Sequence, residues 1–167
     1  LVKKMPLITG GGIPQTRGVI NGRVDYKHPF RELMAKFVGG ILALSTGLSL
    51  GREGPSVQIG SYVGCLVSKW GRVLAGERKQ LLAAGAGAGL AAAFAAPLAS
   101  SLLVIESIER FDAPKTAITT LLAGVVAGGV ASWLFPINPY FQIDAIVPGM
   151  TFWSQVKLFL LLAAVVS

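Results

Sequence analysis

A single carboxylate stands between two long apolar stretches, in Gly51-Arg52-Glu53-Gly54-Pro55. An ionisable side chain at membrane depth is costly, so Glu53 is a functional candidate by default. An earlier stretch, Gly10-Gly11-Gly12-Ile13-Pro14, has the same grammar of small residues, then proline, then a helix start. The first N–H groups of a helix lack intrahelical acceptors and carry roughly half a positive charge. They make an anion site that needs no cationic side chain. Glycines ahead of the helix let the ion approach the backbone, and Pro55 suits a first helical position. The expectation is that the two turns face each other and hold an anion between them. Gly10, Gly11, Gly12, Ile13, Pro14, Arg52, Gly54 and Pro55 are the candidate binding residues, with Arg52 expected to anchor the loop. Such a site binds weakly, as a conducting path requires. Glu53 carries an anion of its own, able to fill the site when ionised and leave it when protonated. The bland reading is that it caps its helix.

These turns need a membrane scaffold, and the composition supplies one. The 167 residues are 53% hydrophobic and 14% charged, against roughly 25% charged in soluble domains. The 21 glycines suit helices that approach closely in a bilayer. The net charge of +7 comes from scattered basic residues, which sets aside nucleic-acid binding and reads as loop charge. Cys65 is the single cysteine and His28 the single histidine, so no internal disulfide or metal cluster is expected. No cofactor, catalytic residue or secretory leader is indicated.

Along the chain, residues 15–21 allow only a short helix, and 22–31 read as loop. Pro29 opens a long apolar segment over 30–50, in which Lys36 is expected to snorkel to the interface. Gly39, Gly40, Gly47 and Gly51 give that segment a thin face. Residues 54–68 resume the pattern, with Gly60 and Gly64 at small-xxx-small spacing. The basic stretch 69–79 belongs at an interface. From Gln80 to Ile105 there is no charge, and Pro97 splits this run into helices near 78–95 and 97–108. Residues 116–134 have span length, 135–151 read as an outer loop, and a further helix starts at 152. Gly85/Gly89 and Gly124/Gly128 read as helix-packing faces. The basic residues favour loops 22–31 and 109–115 on the cytoplasmic side.

Gly51-Arg52-Glu53-Gly54-Pro55 with Ser56-Val57-Gln58-Ile59-Gly60 resembles the signature of the ClC chloride channel and transporter family. Gly10-Gly11-Gly12-Ile13-Pro14 is similar to that family's G-S-G-I-P turn. The stretch from Leu82 to Phe94, and Ala96-Pro97-Leu98-Ala99 leading to Ile105-Glu106, resemble its next two helices. The similarity covers about residues 5–135. It implies an all-α membrane protein, a bundle of broken, tilted helices in inverted repeats, assembled as a homodimer in the cell membrane. The chain would be a fragment covering most of the first repeat, within the N-terminal half of the transmembrane domain, with no soluble domain. The resemblance implies transport of chloride or a similar small anion, gated by Glu53. By the same analogy residues 97–108 and 116–134 would meet the second subunit through Leu102, Val104, Ile105, Ile118, Leu121 and Leu122.

Two positions depart from the pattern. Gly11 replaces the usual serine, which puts the anion in question; fluoride or nitrate carried with protons is the alternative. Glu106 is kept, but the adjacent second glutamate of proton-coupled members is Ser107. Both are proton-pathway candidates, and Ser107 leads one to expect weak coupling. Glu106 with Arg110, four apart, also reads as a surface pair. Two rivals remain. Gly87-Ala88-Gly89-Leu90-Ala91-Ala92 matches a nucleotide-binding G-x-G-x-x-A, which requires a preceding strand. A truncated, non-conducting membrane piece is the other.

Overall fold

The computed structural model describes residues 5–47, 51–109 and 114–135, with Lys157 and Leu161. Two compact units divide the chain, 1–136 and 137–167, and all that follows concerns the first. Its described residues form six α-helices: α1 (Ile13–Ile20), α2 (Pro29–Ser45), α3 (Glu53–Trp70), α4 (Ala75–Phe94), α5 (Pro97–Val104) and α6 (Pro114–Leu134). A 3-10 turn at Pro6–Ile8 precedes them, and a π-turn at Ile105–Glu109 prolongs α5. Arg110, the expected partner of Glu106, the outer loop from 136 and most of the helix expected after 152 lie outside the described residues.

Proline sets the breaks. Pro29 and Pro97 each occupy a first turn, where a missing N–H costs nothing. The run from Gln80 to Ile105 breaks as the sequence implies: Ala95 turns left-handed at φ 53° and Ala96 leaves helical geometry ahead of Pro97. Pro55 is displaced from its expected place. The helix already begins at Glu53, so Pro55 is third, still among the positions whose N–H has no intrahelical acceptor.

Glycine governs the packing of α3 on α4. A side chain on Gly60 would overlap the Gly85 carbonyl, and one on Gly64 the Leu81 carbonyl. Gly85 and Gly89 press back on Gly60 and the Ser56 carbonyl, so the two backbones meet without intervening side chains. Gly87 lies against Thr120 of α6, and Gly124 against Ser101 and the Pro97 carbonyl. The expected packing roles of Gly60/Gly64, Gly85/Gly89 and Gly124/Gly128 are therefore met. Gly39, Gly40, Gly47 and Gly51 are different: nothing lies within 4 Å of a side chain added there, so among the described residues these glycines make no close backbone packing. The contrast is measurable by thermal unfolding of the full-length protein in detergent. Gly60→Val should destabilise by about 3 kcal/mol, since carbonyls cannot swing aside as side chains do. Gly39→Ala should stabilise by about 0.5–1 kcal/mol through helix propensity alone.

The core joins Val19 and Ile20 of α1, Tyr26, Leu33 of α2, Val57, Tyr62 and Cys65 of α3, Leu82, Ala86 and Leu90 of α4, and Val104. Val104 and Ile105, expected to meet a second subunit, are 0% and 4% exposed. Val104 belongs to this core, and Ile105, the first residue of the π-turn, is buried beside it in sequence. Leu102, Ile118 and Leu122 do stand exposed. One described helix, α6, is long and apolar enough to cross a membrane, with mean hydropathy 1.7. The apolar side chains of α2 and α6, among them Ile41, Leu42, Leu122 and Val126, form outward faces that suit hydrocarbon or neighbouring helices. Gly87–Ala92 lie mid-helix in α4 with helix before them, so the fingerprint reading has no strand to stand on.

Candidate anion site

Both turns come together, and more tightly than expected. A side chain on Gly54 would overlap the Gly11 carbonyl; one on Gly12 would lie 2.5 Å from the Gly54 carbonyl and 2.9 Å from Gln58. The start of α3 thus rests directly on the turn that opens α1. No ion fits between Gly12 and Gly54, so the expected position of the anion is corrected. Beside the contact, Gly11 is exposed and faces open space.

Local chemistry explains the turn. Gly10 and Gly12 have φ of +68° and +97°, which side-chain-bearing residues rarely adopt. The Gln15 side chain folds back over them: its Oε1 accepts from the Gly12 N–H at 3.1 Å and its Nε2 donates to the Thr9 carbonyl at 2.7 Å. The Gly12 N–H is therefore engaged within the protein, which removes it from the donors expected for an anion. Ile13 opens α1 and Pro14, second in the helix, has no N–H.

Two residues pin this loop from outside, Lys36, expected at the interface, and Gln58, for which the sequence suggests no role of its own. Lys36 of α2 does not snorkel. It is 7% exposed, and its Nζ donates to the Ile8 and Gly10 carbonyls at 3.0 and 2.8 Å. Its position one helix turn past Glu32 points it at the 6–10 loop instead of the membrane surface. Gln58 of α3 donates from Nε2 to the Leu7 carbonyl at 2.7 Å and to the Tyr62 hydroxyl at 3.2 Å. It lies four residues after Gly54, on the same helix face, which is the one signal that could have found it.

Glu53 is the first residue of α3 and is exposed. It lines a cavity of about 180 Å³ with Leu90, Phe94, Ala96, Ala99, Ser100 and Leu103. Its carboxylate thus borders the α4–α5 break, on one flank of the glycine contact. Arg52 precedes it as the N-cap residue, with its guanidinium carbon 5.2 Å from the centre of the Phe94 ring. That cation–π arrangement agrees with an anchoring role. Arg52 also lines a second cavity with Phe37, Ile41 and Ile59.

Glu106 and Ser107 are exposed on the π-turn after α5, which packs against α1 and α4. No described contact joins them to Glu53. Deeper in the protein a polar cluster lies under the glycine contact. Tyr26 stacks on Tyr62 with ring centres 4.2 Å apart, and its hydroxyl makes long hydrogen bonds with Thr16 (3.4 Å) and Ser61 (3.5 Å). Burial raises the Tyr26 pKa above its ordinary value, while those two bonds pull it down. Glu32 is 4% exposed, and its Oε1 accepts from the His28 N–H at 3.3 Å.

The family profile described as "Voltage gated chloride channel" matches residues 1–167. The chain is similar to the H(+)/Cl(-) exchange transporter ClcA of Vibrio cholerae, 42% identical over 127 residues, 75% of this chain and 27% of that protein. ClcA of Citrobacter koseri is 41% identical over 138 residues, 81% and 29% of the two chains. ClcA of Salmonella arizonae is 40% identical over the same length and shares. The chain spans a little over a quarter of the length of these relatives. A helical scaffold that rests one glycine-led helix start on another thus carries the family's pattern throughout, and the chain belongs to the voltage-gated chloride channel family, with its all-α membrane fold.

Proposed function

We propose that the full-length protein moves chloride or a similar small anion across the cell membrane, with Glu53 as the gate. This chain contributes one side of the anion path, as part of the N-terminal half of the transmembrane domain. The single observation that carries the reading is the backbone contact of Gly54 with Gly11 and Gly12. It fixes two helix starts side by side and sets the Glu53 carboxylate at their edge, so the field that attracts an anion also attracts the gate. The Lys36 Nζ, held on the Gly10 carbonyl, places a basic group under the same turn. Exchange for protons is favoured by the relatives named as H(+)/Cl(-) exchange transporters. Assembly as a homodimer is part of the same reading.

The test is flux from vesicles holding the full-length protein, with chloride, nitrate and fluoride compared and proton movement followed in parallel. Chloride flux above that of empty vesicles is expected; no flux of any of the three ions refutes the reading. Gly11 offers a specificity arm. Its side-chain direction is open space, so Gly11→Ser is accommodated sterically and adds a hydroxyl donor beside the anion. A shift in the chloride-to-nitrate ratio is expected; an unchanged ratio places the ion elsewhere.

A further inference from the structure

Glu32 is the only buried carboxyl among the described residues. Glu32 Oε2 and Gln58 Oε1 are enclosed with no partner in good hydrogen-bond geometry, although the Tyr62 hydroxyl interacts with the Glu32 carboxylate. Buried acceptors left without donors call for an explanation, such as a proton, a water or a functional role. The surroundings are polar and connected. The Tyr62 hydroxyl lies beside Glu32 and receives the Gln58 amide at 3.2 Å. Gln58 in turn touches Gly12, the residue on which Gly54 rests. A line of polar groups therefore runs from Glu32 through Tyr62 and Gln58 to the paired turns.

Among the described residues, few titratable groups face Glu32. Tyr62 comes from α3 and Tyr26 from the loop before α2. On its own helix, Lys36 lies one turn later with its Nζ committed to Ile8 and Gly10 carbonyls, and His28 lies one turn earlier, exposed. The 3-10 turn Pro6–Ile8, which also packs on α2, carries no titratable side chain. No cation among these pairs with the carboxylate by a described ion pair.

We propose that Glu32 is a proton-carrying carboxyl of the exchange reaction, supplying the titratable group that Ser107 lacks. The inference rests on the anion-exchange reading above. A hydronium ion gives its proton to the Glu32 carboxylate and leaves as water, which turns the buried carboxylate into a neutral acid able to donate. The acid then passes that proton to a water on the Tyr62–Gln58 side, which becomes hydronium, and the carboxylate returns to its starting charge after each cycle. Tyr62 and Gln58 position the carboxyl and hold any water that links it to the turns. The enclosed acceptor on Gln58, next to the Tyr62 hydroxyl, offers such a water a polar partner.

The experiment uses full-length wild-type, Glu32→Gln and Tyr62→Phe proteins in vesicles, with chloride-driven proton uptake and chloride flux recorded together. Wild type is expected to pump protons. In Glu32→Gln the protons moved per chloride should fall by about a hundredfold, the low end for loss of a positioned proton-transfer group. Tyr62→Phe, which leaves Glu32 in place, should lower the same ratio by a smaller factor and shift its pH profile; this variant decides if Glu32→Gln does not fold. An unchanged ratio in both, a proportional loss of both fluxes, or a wild type that carries chloride without protons overturns the role of Glu32. A wild type that carries no anion at all refutes the transport reading itself, which is a different result.

Discussion

Gly54→Ala is expected to abolish anion flux and to destabilise the protein by about 3 kcal/mol, at the upper end of overpacking costs. In an ordinary helix this substitution stabilises by about 0.5–1 kcal/mol, so the sign itself is diagnostic. The reversal has a specific cause. The new methyl would overlap the Gly11 carbonyl, a backbone group with no rotamer to retreat into. Gly10 and Gly12 are held at positive φ, and the loop is pinned by Lys36 and Gln58, so it cannot yield without breaking those bonds. The start of α3 has to lift off the start of α1, which takes apart the paired turns on which the proposed anion path rests. Gly76→Ala, in the first turn of α4 with nothing within 4 Å, is the control. Unfolding midpoints in detergent and chloride flux from vesicles are the measurements. Wild-type values for Gly54→Ala would show that the contact does not build the site.

Glu53→Gln is expected to make anion flux independent of pH, at the level wild type reaches in acid. Glutamine keeps the size of the side chain and imitates the protonated carboxyl. The direction follows from competition: a carboxylate and a transported anion seek the same helix end, and removing the charge removes the competitor. Stability should change little, since a charge at an exposed helix start contributes about 0.3–1 kcal/mol. Large loss of stability with unaltered pH dependence would make Glu53 a cap and nothing more. The cavity beside it, lined by Phe94, Ser100 and Leu103, is where a displaced side chain has room to go.

Much of this was legible along the chain. The proline positions divide the helices because they act through the local backbone: each lacks an N–H and restrains the residue before it. Gly60/Gly64 and Gly85/Gly89 announce close packing because four-residue spacing puts small residues on one helix face. The pairing of the two glycine turns, and the family, could be read from motifs whose order and spacing are specific.

What escaped the sequence depends on contacts between distant residues. Lys36 reads as a membrane-edge lysine until α2 is seen to lay it on carbonyls 26 and 28 residues earlier. Val104 and Ile105 read as an outer face until the fold is seen to bury them. The Gly12 N–H reads as an anion donor until Gln15 occupies it. Glu32 gives no signal in its own neighbourhood, because its burial and its tyrosine neighbours, from a loop and from α3, arise only in the fold. By itself, the sequence determined the membrane class, the helix breaks and the two glycine turns, all consequences of local backbone chemistry and helix periodicity. The tertiary structure alone decided that those turns touch with no room for an ion between them, and that Lys36, Gln58 and Glu32 lie behind them. The physical reason is that burial and hydrogen-bond partners belong to the packed arrangement and to no single segment of the chain.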